Sequence, residues 1–375
     1  MKSKKLLKLF GAVVLAVVIA LAFVPGCAKE APTPVPGPAG PAGPAGPAAE
    51  PAPAEEVFKW VGQSHDTSAH PLWILWEQAC KDIEVASGGR LKMDWYSGGA
   101  IVPSETEFDS THSGALDFSV TCPGYQTTHF ASASLFTYVS SGLSAIQFLS
   151  WMERGGGKEL IAEMVKDFDV YCVPVAGAML TPEIMISANR EVTTLEDLQG
   201  LKMRCFGDGG EIFAMMGVKT VHFPSMEIYE SMQRGIIDAF DHTNPTGNWA
   251  AADQEVAPYV YLSPSRQGME YQQMYVNKDK WKALPDDLKV IVTAVGRDYM
   301  YNVYWEYVAS DVEAVQDFVD YGCTVEPVSD EIEVAFKEAA KEFYAKKCDK
   351  DPFFKRVYES QMEWKEMIET AFPLL

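Results

Sequence analysis

Positive charge is the scarcest property of this chain. Its 31 Lys and Arg face 52 Asp and Glu, for a net charge of −21 over 375 residues. A surface that acidic repels phosphate backbones and anionic headgroups, which excludes nucleic acid as a partner and excludes an electrostatic grip on lipid. Metal and redox motifs are missing as well. No two of the seven cysteines form a Cys-x-x-Cys pair, and His112, His129 and His222 have no His or Cys at ligand spacing, which excludes a zinc finger or a thioredoxin-type centre. Past residue 26 there is no second long apolar run, so nothing there spans a bilayer as a helix.

The one apolar run, 9–23, follows Lys2, Lys4, Lys5 and Lys8. Basic start and short apolar core together make residues 1–26 a signal peptide rather than a membrane span. Val24-Pro25-Gly26-Cys27 resembles the lipobox of bacterial lipoproteins, which implies cleavage before Cys27 and lipidation of its thiol. Residues 28–56 are almost entirely Pro, Ala, Gly and Glu, with Gly-Pro-Ala repeated between 37 and 48. The triplets are too few for a collagen helix. An extended polyproline-like tether is the better reading, reaching about 3.1 Å per residue, or of the order of 80–90 Å in all. Residues 27–56 therefore hold a water-soluble domain off a membrane, in the periplasm or at the cell surface. Removing the four leader lysines takes the charge from −21 to −25, so any anionic ligand must be held by local positive groups against an adverse overall field.

Six cysteines remain after Cys27, at 80, 122, 172, 205, 323 and 348. Several sit in apolar runs, such as Val170-Tyr171-Cys172-Val173, and read as buried thiols. Disulfides are permitted outside the cytoplasm, but a core built from more than 300 residues does not require them.

That body repeats a phrase. Gly89-Arg90-Leu91-Lys92-Met93 leads to Gly114-Ala115-Leu116-Asp117, and Gly200-Leu201-Lys202-Met203 leads to Gly235-Ile236-Ile237-Asp238. Each copy reads as strand, Gly-rich turn, helix closed by Gly, and strand, so the chain builds one αβ unit twice and has two lobes with a cleft between them. Helical 3–4 spacing covers 71–86, 143–152, 157–167, 286–321, 330–347 and 352–370. Ser104 with Glu107 reads as a capping box for a helix over 104–113, and Thr194 with Asp197 as another. Strands are expected at 57–62, 91–96, 116–121, 170–178, 184–188, 201–206, 218–222, 236–241 and 269–277, with 242–249 irregular. The first lobe covers 57–180 and is completed by about 268–285, the second covers 181–267, and 286–375 forms a long helix and a helical tail across both. The class is α/β.

Asp197-Leu198-Gln199-Gly200-Leu201-Lys202-Met203-Arg204, then Met216-Gly217-Val218, then Tyr229-Glu230-Ser231-Met232-Gln233-Arg234-Gly235-Ile236-Ile237-Asp238 resembles the solute-binding proteins of TRAP (tripartite ATP-independent periplasmic) transporters, the DctP-like family. Gly88-Gly89-Arg90-Leu91, Val276-Asn277-Lys278-Asp279-Lys280-Trp281 and Leu284-Pro285 support it, and the break at Glu153-Arg154-Gly155-Gly156-Gly157 is similar to the branch that binds 2-oxo or 2-hydroxy monocarboxylates. The resemblance implies a two-lobed periplasmic-binding-protein fold of type II-like topology. It implies a receptor with no catalysis, which closes over a small organic acid and hands it to two membrane permease subunits. It also implies a Na or Ca cation beside the ligand in some members.

Arg204 is the leading ligand-binding candidate. It ends an apolar strand where α/β folds open on to ligands, guanidinium pairs with a carboxylate bidentately, and the resemblance implies that the arginine at this position clamps the ligand. A salt bridge to Asp208 or a neighbour is the alternative. Glu183 sits before strand 184–188, and Asp241 with His242 follows strand 236–241, His242 standing where the family carries Trp. Glu183 and Asp241 with Gln267 or Glu270 could hold a cation through oxygens, unless these acids simply face solvent. Ser64, His65, Tyr125, Asn244 and Trp249 lie after strand ends or in the irregular stretch and are candidates for hydrogen bonds to the ligand. Tyr299, Tyr301, Tyr304, Trp305 and Tyr307 read as helix packing, and helix 286–321 offers surface for a homodimer. Two competing functions stand beside the receptor. One is a ligand-sensing or interaction module on the same fold. The other is an enzyme using Cys122 with His65 or His129 as a Cys-His nucleophile.

Overall fold

Two mixed sheets, connected three times, organise the chain. The computed structural model describes residues 56–372; the signal peptide, Cys27 and nearly all of the tether lie outside the described residues. The first stretch runs β1 (Phe58–Ser64), α1 (Pro71–Ala86), β2 (Leu91–Tyr96), α2 (Glu107–Ser113), β3 (Phe118–Thr121), two 3₁₀ turns (Pro123–Gln126 and Ala131–Phe136), α3 (Ala145–Arg154), α4 (Gly157–Met164) and β4 (Val170–Leu180). The second runs β5 (Ile184–Ala188), α5 (Leu195–Leu198), β6 (Lys202–Arg204), α6 (Gly207–Met215), β7 (Lys219–Val221), α7 (Ile228–Gln233), β8 (Ala239–Phe240), α8 (Pro245–Ala250) and β9 (Tyr259–Leu262). The chain closes with β10 (Glu270–Asn277), α9 (Lys278–Ala283), α10 (Asp286–Tyr321), β11 (Thr324–Pro327), α11 (Asp330–Lys350) and α12 (Pro352–Ala371).

The first sheet has the order β2-β1-β3-β10-β4 and the second β11-β9-β5-β8-β6-β7. β1 is parallel to β2 and β3, whereas β10 is antiparallel to β3 and β4. In the second sheet β6 is parallel to β7 and β8, and β5 is antiparallel to β8 and β9. The chain crosses between sheets over 181–183 and 263–269, and a third time through α10, which packs on β4 and leads into β11. The helices form for legible reasons. On α1, Leu72, Trp76, Ala79 and Ile83 recur at 3–4 spacing and are all buried, and Pro71 opens the helix where no backbone donor is needed. Ser144 and Gln147 cap α3 reciprocally, which seats Trp151 fully buried against Phe136 and Phe148. Each copy of the repeat closes its helix on a glycine with positive φ, 79° at Gly114 and 67° at Gly235, a conformation that costs a side chain roughly 1–2 kcal/mol.

Four expectations change. Ser104 does not cap α2: Glu105 adopts φ 73°, the helix begins at Glu107, and the Ser104 hydroxyl donates to His65 O. The stretch 242–249 is irregular only over 242–244, because Asn244 caps α8 and Pro245 opens it. β9 and β11 are strands that the sequence pattern did not reveal. The α10 aromatics divide: Tyr307 is in the core, while Trp305 is 59% exposed and Tyr301 36%. The six cysteines of the described body are all unpaired. Among the described residues no helix is long and apolar enough to cross a membrane.

Candidate functional site

The site grows from the second copy of the repeat. β6 lies between β7 and β8, and its last residue, Arg204, is level with Phe240. The ends of these parallel strands place Arg204 beside Asp241, where α/β sheets open on to ligands. Arg204 is only 4% exposed. Its Nε donates to Phe223 O at 3.1 Å, and Nη1 donates to Asp241 O at 2.9 Å and to Asp241 Oδ1 at 3.4 Å. These bonds fix the guanidinium plane through Nε and Nη1, and Nη2 makes no hydrogen bond among the described residues.

Arg204 lines a cavity of about 290 Å³ between the two sheets. His65 after β1, Tyr125 in the first 3₁₀ turn, and Glu270 and Gln272 on β10 enter it from the first sheet. Phe206, His242 and Asp253 enter from the second, and Glu183 from the first crossing. Of the residues singled out in the sequence, Arg204, Glu183, His242, Tyr125 and His65 are thus brought together. Asp241, Asn244 and Gln267 do not line the cavity. Asn244 is wholly buried, accepts from Gly247 N as the cap of α8, and donates to Thr181 Oγ1. Ser64 is bonded to Asp66, and Trp249 packs on Phe318 and Tyr321.

Asp241 and Gln267 face a second arginine behind the cavity wall. Arg266 is fully buried. Its Nε and Nη2 donate to Asp241 Oδ2 at 3.2 and 2.5 Å, Nη2 also donates to Phe206 O at 3.1 Å, and Nη1 donates to Gln267 Oε1 at 3.1 Å. Glu183 Oε2 lies 3.6 Å from Nη2, within ion-pair range, and the guanidinium stacks 5.0 Å over the Tyr138 ring. Burial opposes that charge, but Asp241 above all outweighs it and holds the guanidinium pKa well above its ordinary value. Asp241 Oδ1 also accepts from Phe206 N at 3.0 Å, so both oxygens of Asp241 are bonded.

On the cavity side, Glu183 and Glu270 are close enough to act on each other electrostatically. Glu270 accepts from Gln272 Nε2 at 3.0 Å and Gln267 Nε2 at 3.4 Å. Burial pushes Glu183 well above the usual carboxylate range against the pull of Arg266, and it raises Glu270 against the pull of His65. Glu183 Oε2 and Gln272 Oε1 are buried with no hydrogen-bond partner. Two such atoms are expensive to leave unmet, about 1–3 kcal/mol each. Burial opposes charge on His65, yet Asp66, with Glu107, Glu270 and Glu105, raises it. The His65 ring packs edge-on to Tyr125, whose ring in turn meets Phe206. His242 Nδ1 is 2.8 Å from Asp253 Oδ2.

Sequence reasoning missed Arg266 and Gln272. Gln272 stands two residues beyond Glu270 on one strand, and residues at i and i+2 share a face, which was a usable signal. Arg266 gave none: its role is set by Asp241, 25 residues upstream.

Known proteins share this architecture. The family described as bacterial extracellular solute-binding protein, family 7, matches residues 62–351. A monocarboxylate 2-oxoacid-binding periplasmic protein of Nostoc is 26% identical over 298 residues, covering 79% of this chain and 80% of the relative. A TRAP solute-binding protein of Colwellia psychrerythraea with bound calcium and pyruvate superposes with a TM-score of 0.81 at 24% identity, covering 85% of this chain and 97% of that one. One of Pseudoalteromonas atlantica with bound sodium and pyruvate gives 0.79 at 23%, with 84% and 96% covered.

Proposed function

We propose, from the premise that this chain belongs to the bacterial extracellular solute-binding proteins, family 7, that it is the receptor of a TRAP transporter for a small 2-oxo or 2-hydroxy monocarboxylate. The observation that carries this reading is Arg204. A buried arginine, clamped through two of its nitrogens, presents the third to the cavity between the sheets in a strongly acidic protein. One such group suits one carboxylate. The ligand's second oxygen then meets Glu183 Oε2 and Gln272 Oε1: a protonated Glu183 donates to a keto oxygen, and an ionised one accepts from a hydroxyl. Tyr125 and His65 complete the first-sheet side.

The mechanism is differential binding. A ligand held by Arg204 from one sheet and by Gln272, Tyr125 and His65 from the other favours the form in which the sheets approach. The crossings at 181–183 and 263–269 are the places to hinge. Asp311 of α10 ties both sides of the first: it accepts from the Thr181 hydroxyl and from Thr246 N and Oγ1. Docking then delivers the acid to two permease subunits, while lipidated Cys27 and the 28–56 tether keep the receptor near them. Val290, Tyr301, Trp305, Val312 and Val319 expose one stripe of α10, which supports a homodimer through that helix and is checked by sedimentation velocity. The reading includes no catalytic step. Burial pushes the Cys122 thiol well above its ordinary pKa, and an inert thiol suits a binder.

Isothermal titration of pyruvate and lactate into the purified chain tests the proposal. Saturable one-site binding is expected; absence of binding across a wider panel of small acids would sink it.

A further inference from the structure

A receptor of this kind that holds a cation beside its ligand needs a cluster of oxygens to hold it. Calcium takes 6–8 oxygen ligands. In this chain the candidate oxygens are those of Glu183 and Asp241 with Gln267 or Glu270, and those of Asp241, Gln267 and Glu183 converge on a positive charge. The charge is the Arg266 guanidinium. Asp241 Oδ2 and Gln267 Oε1 each accept from it, Glu183 Oε2 lies 3.6 Å away, and Asp241 Oδ1 is spent on Arg204 and Phe206 N. Of the fully buried oxygens on this wall, Glu183 Oε2 and Gln272 Oε1 lack a hydrogen bond, and no three His, Cys, Asp or Glu side chains among the described residues are grouped so as to hold a metal ion. The donor set therefore does not fit a cation in addition to Arg266.

The seat is built for the guanidinium. A Cβ on Gly209 would lie 2.6 Å from Arg266 Cζ and Nε, so the first turn of α6 is open only because residue 209 has no side chain. The Tyr138 ring lies 5.0 Å from the guanidinium and its hydroxyl donates to Phe206 O, an oxygen that Arg266 also uses. A rigid, permanently charged fork suits such a site where a hydrated ammonium would not.

We infer that Arg266 is a tethered replacement for the bound cation, so that this receptor holds its carboxylate ligand without a metal ion. Arg266 is a positioning residue: it neutralises and orients Asp241, and Asp241 in turn fixes the plane of Arg204, which touches the ligand. The inference rests on the carboxylate-receptor reading for its ligand and on the donor geometry for its metal independence.

The test titrates pyruvate and lactate into the full chain, first in sodium-free buffer with chelator and then with added calcium or sodium. Affinity is expected to agree within about twofold across these conditions. Binding that weakens tenfold or more in chelator and returns with either cation overturns the inference. Arg266→Gln is expected to weaken both probes at least tenfold in chelator, and unchanged binding by a folded variant overturns the inference as well. A merely structural arginine would not make binding cation-dependent; here added calcium or sodium is expected to restore part of the variant's affinity. Should neither probe bind wild type under any condition, the receptor reading fails on its own. Elemental analysis of the purified chain still decides the metal question: negligible calcium is expected, and about one equivalent, lost on Asp241→Asn, overturns the inference.

Discussion

Replacing Arg204 with Gln separates what the arginine does for the fold from what it does for the ligand. The shorter, neutral side chain of Arg204→Gln loses the charge and the reach of Nη2, together with the bonds to Phe223 O and Asp241. Asp241 is not orphaned, because Arg266 and Phe206 N still donate to it. The lost internal bonds cost about 1–3 kcal/mol of stability, which a folded domain of this size tolerates. A ligand carboxylate losing its buried charged partner costs about 2–5 kcal/mol of binding, roughly a 30- to 4,000-fold rise in Kd at 1.4 kcal/mol per decade. Calorimetry with pyruvate and lactate, paired with a thermal melt, reads both quantities on one preparation. A variant that melts cooperatively and binds within about threefold of wild type would refute the assignment of Arg204 as the clamp.

Three other outcomes follow from the same geometry. Burial raises Glu183 and Glu270, so a keto acid should bind more weakly as pH rises through those elevated values; in Glu183→Gln, which cannot ionise, calorimetry across pH should show a flatter profile. Burial also lifts Asp208 from 3.8 to about 6, so the stability it contributes is present below the unfolded value and lost as pH rises through about 6. Asp208→Asn should therefore gain on wild type by of the order of 3 kcal/mol between about pH 4 and 7, measured by urea unfolding. Trp151→Ala removes a fully buried side chain and its bond to Ser360 Oγ, and should cost about 3–5 kcal/mol in the same assay.

The two-sheet plan was legible because its signals are local and repeated. Leu72, Trp76, Ala79 and Ile83 announce α1, Thr194 with Asp197 caps α5, and the Gly-x-x-Asp phrases at 114–117 and 235–238 lead into equivalent strands, β3 and β8, whereas the two Leu-Lys-Met runs do not correspond, falling on β2 at a sheet edge and on β6 between β7 and β8. Arg204 was legible for the same reason, as a charge ending an apolar strand. Short strands such as β9 and β11 were not, because they are held by pairing with each other and with β5 rather than by their own pattern. Asn244 resembled a cleft residue until Pro245 and Gly247 were seen as a capped helical turn. The Ser104 box failed because tertiary contact with His65 O outweighs local capping. Arg266 was invisible for a deeper reason: a buried guanidinium is defined by oxygens from distant segments, and no spacing announces that.

The central claim is that this cavity recognises a carboxylate through Arg204. Calorimetric titration of the wild-type chain with small 2-oxo and 2-hydroxy acids, each matched with its uncharged amide, tests it most directly. The account predicts saturable binding of at least one acid and at least a hundredfold weaker binding of its amide. Equal affinity for acid and amide, or no binding by any acid, would contradict it.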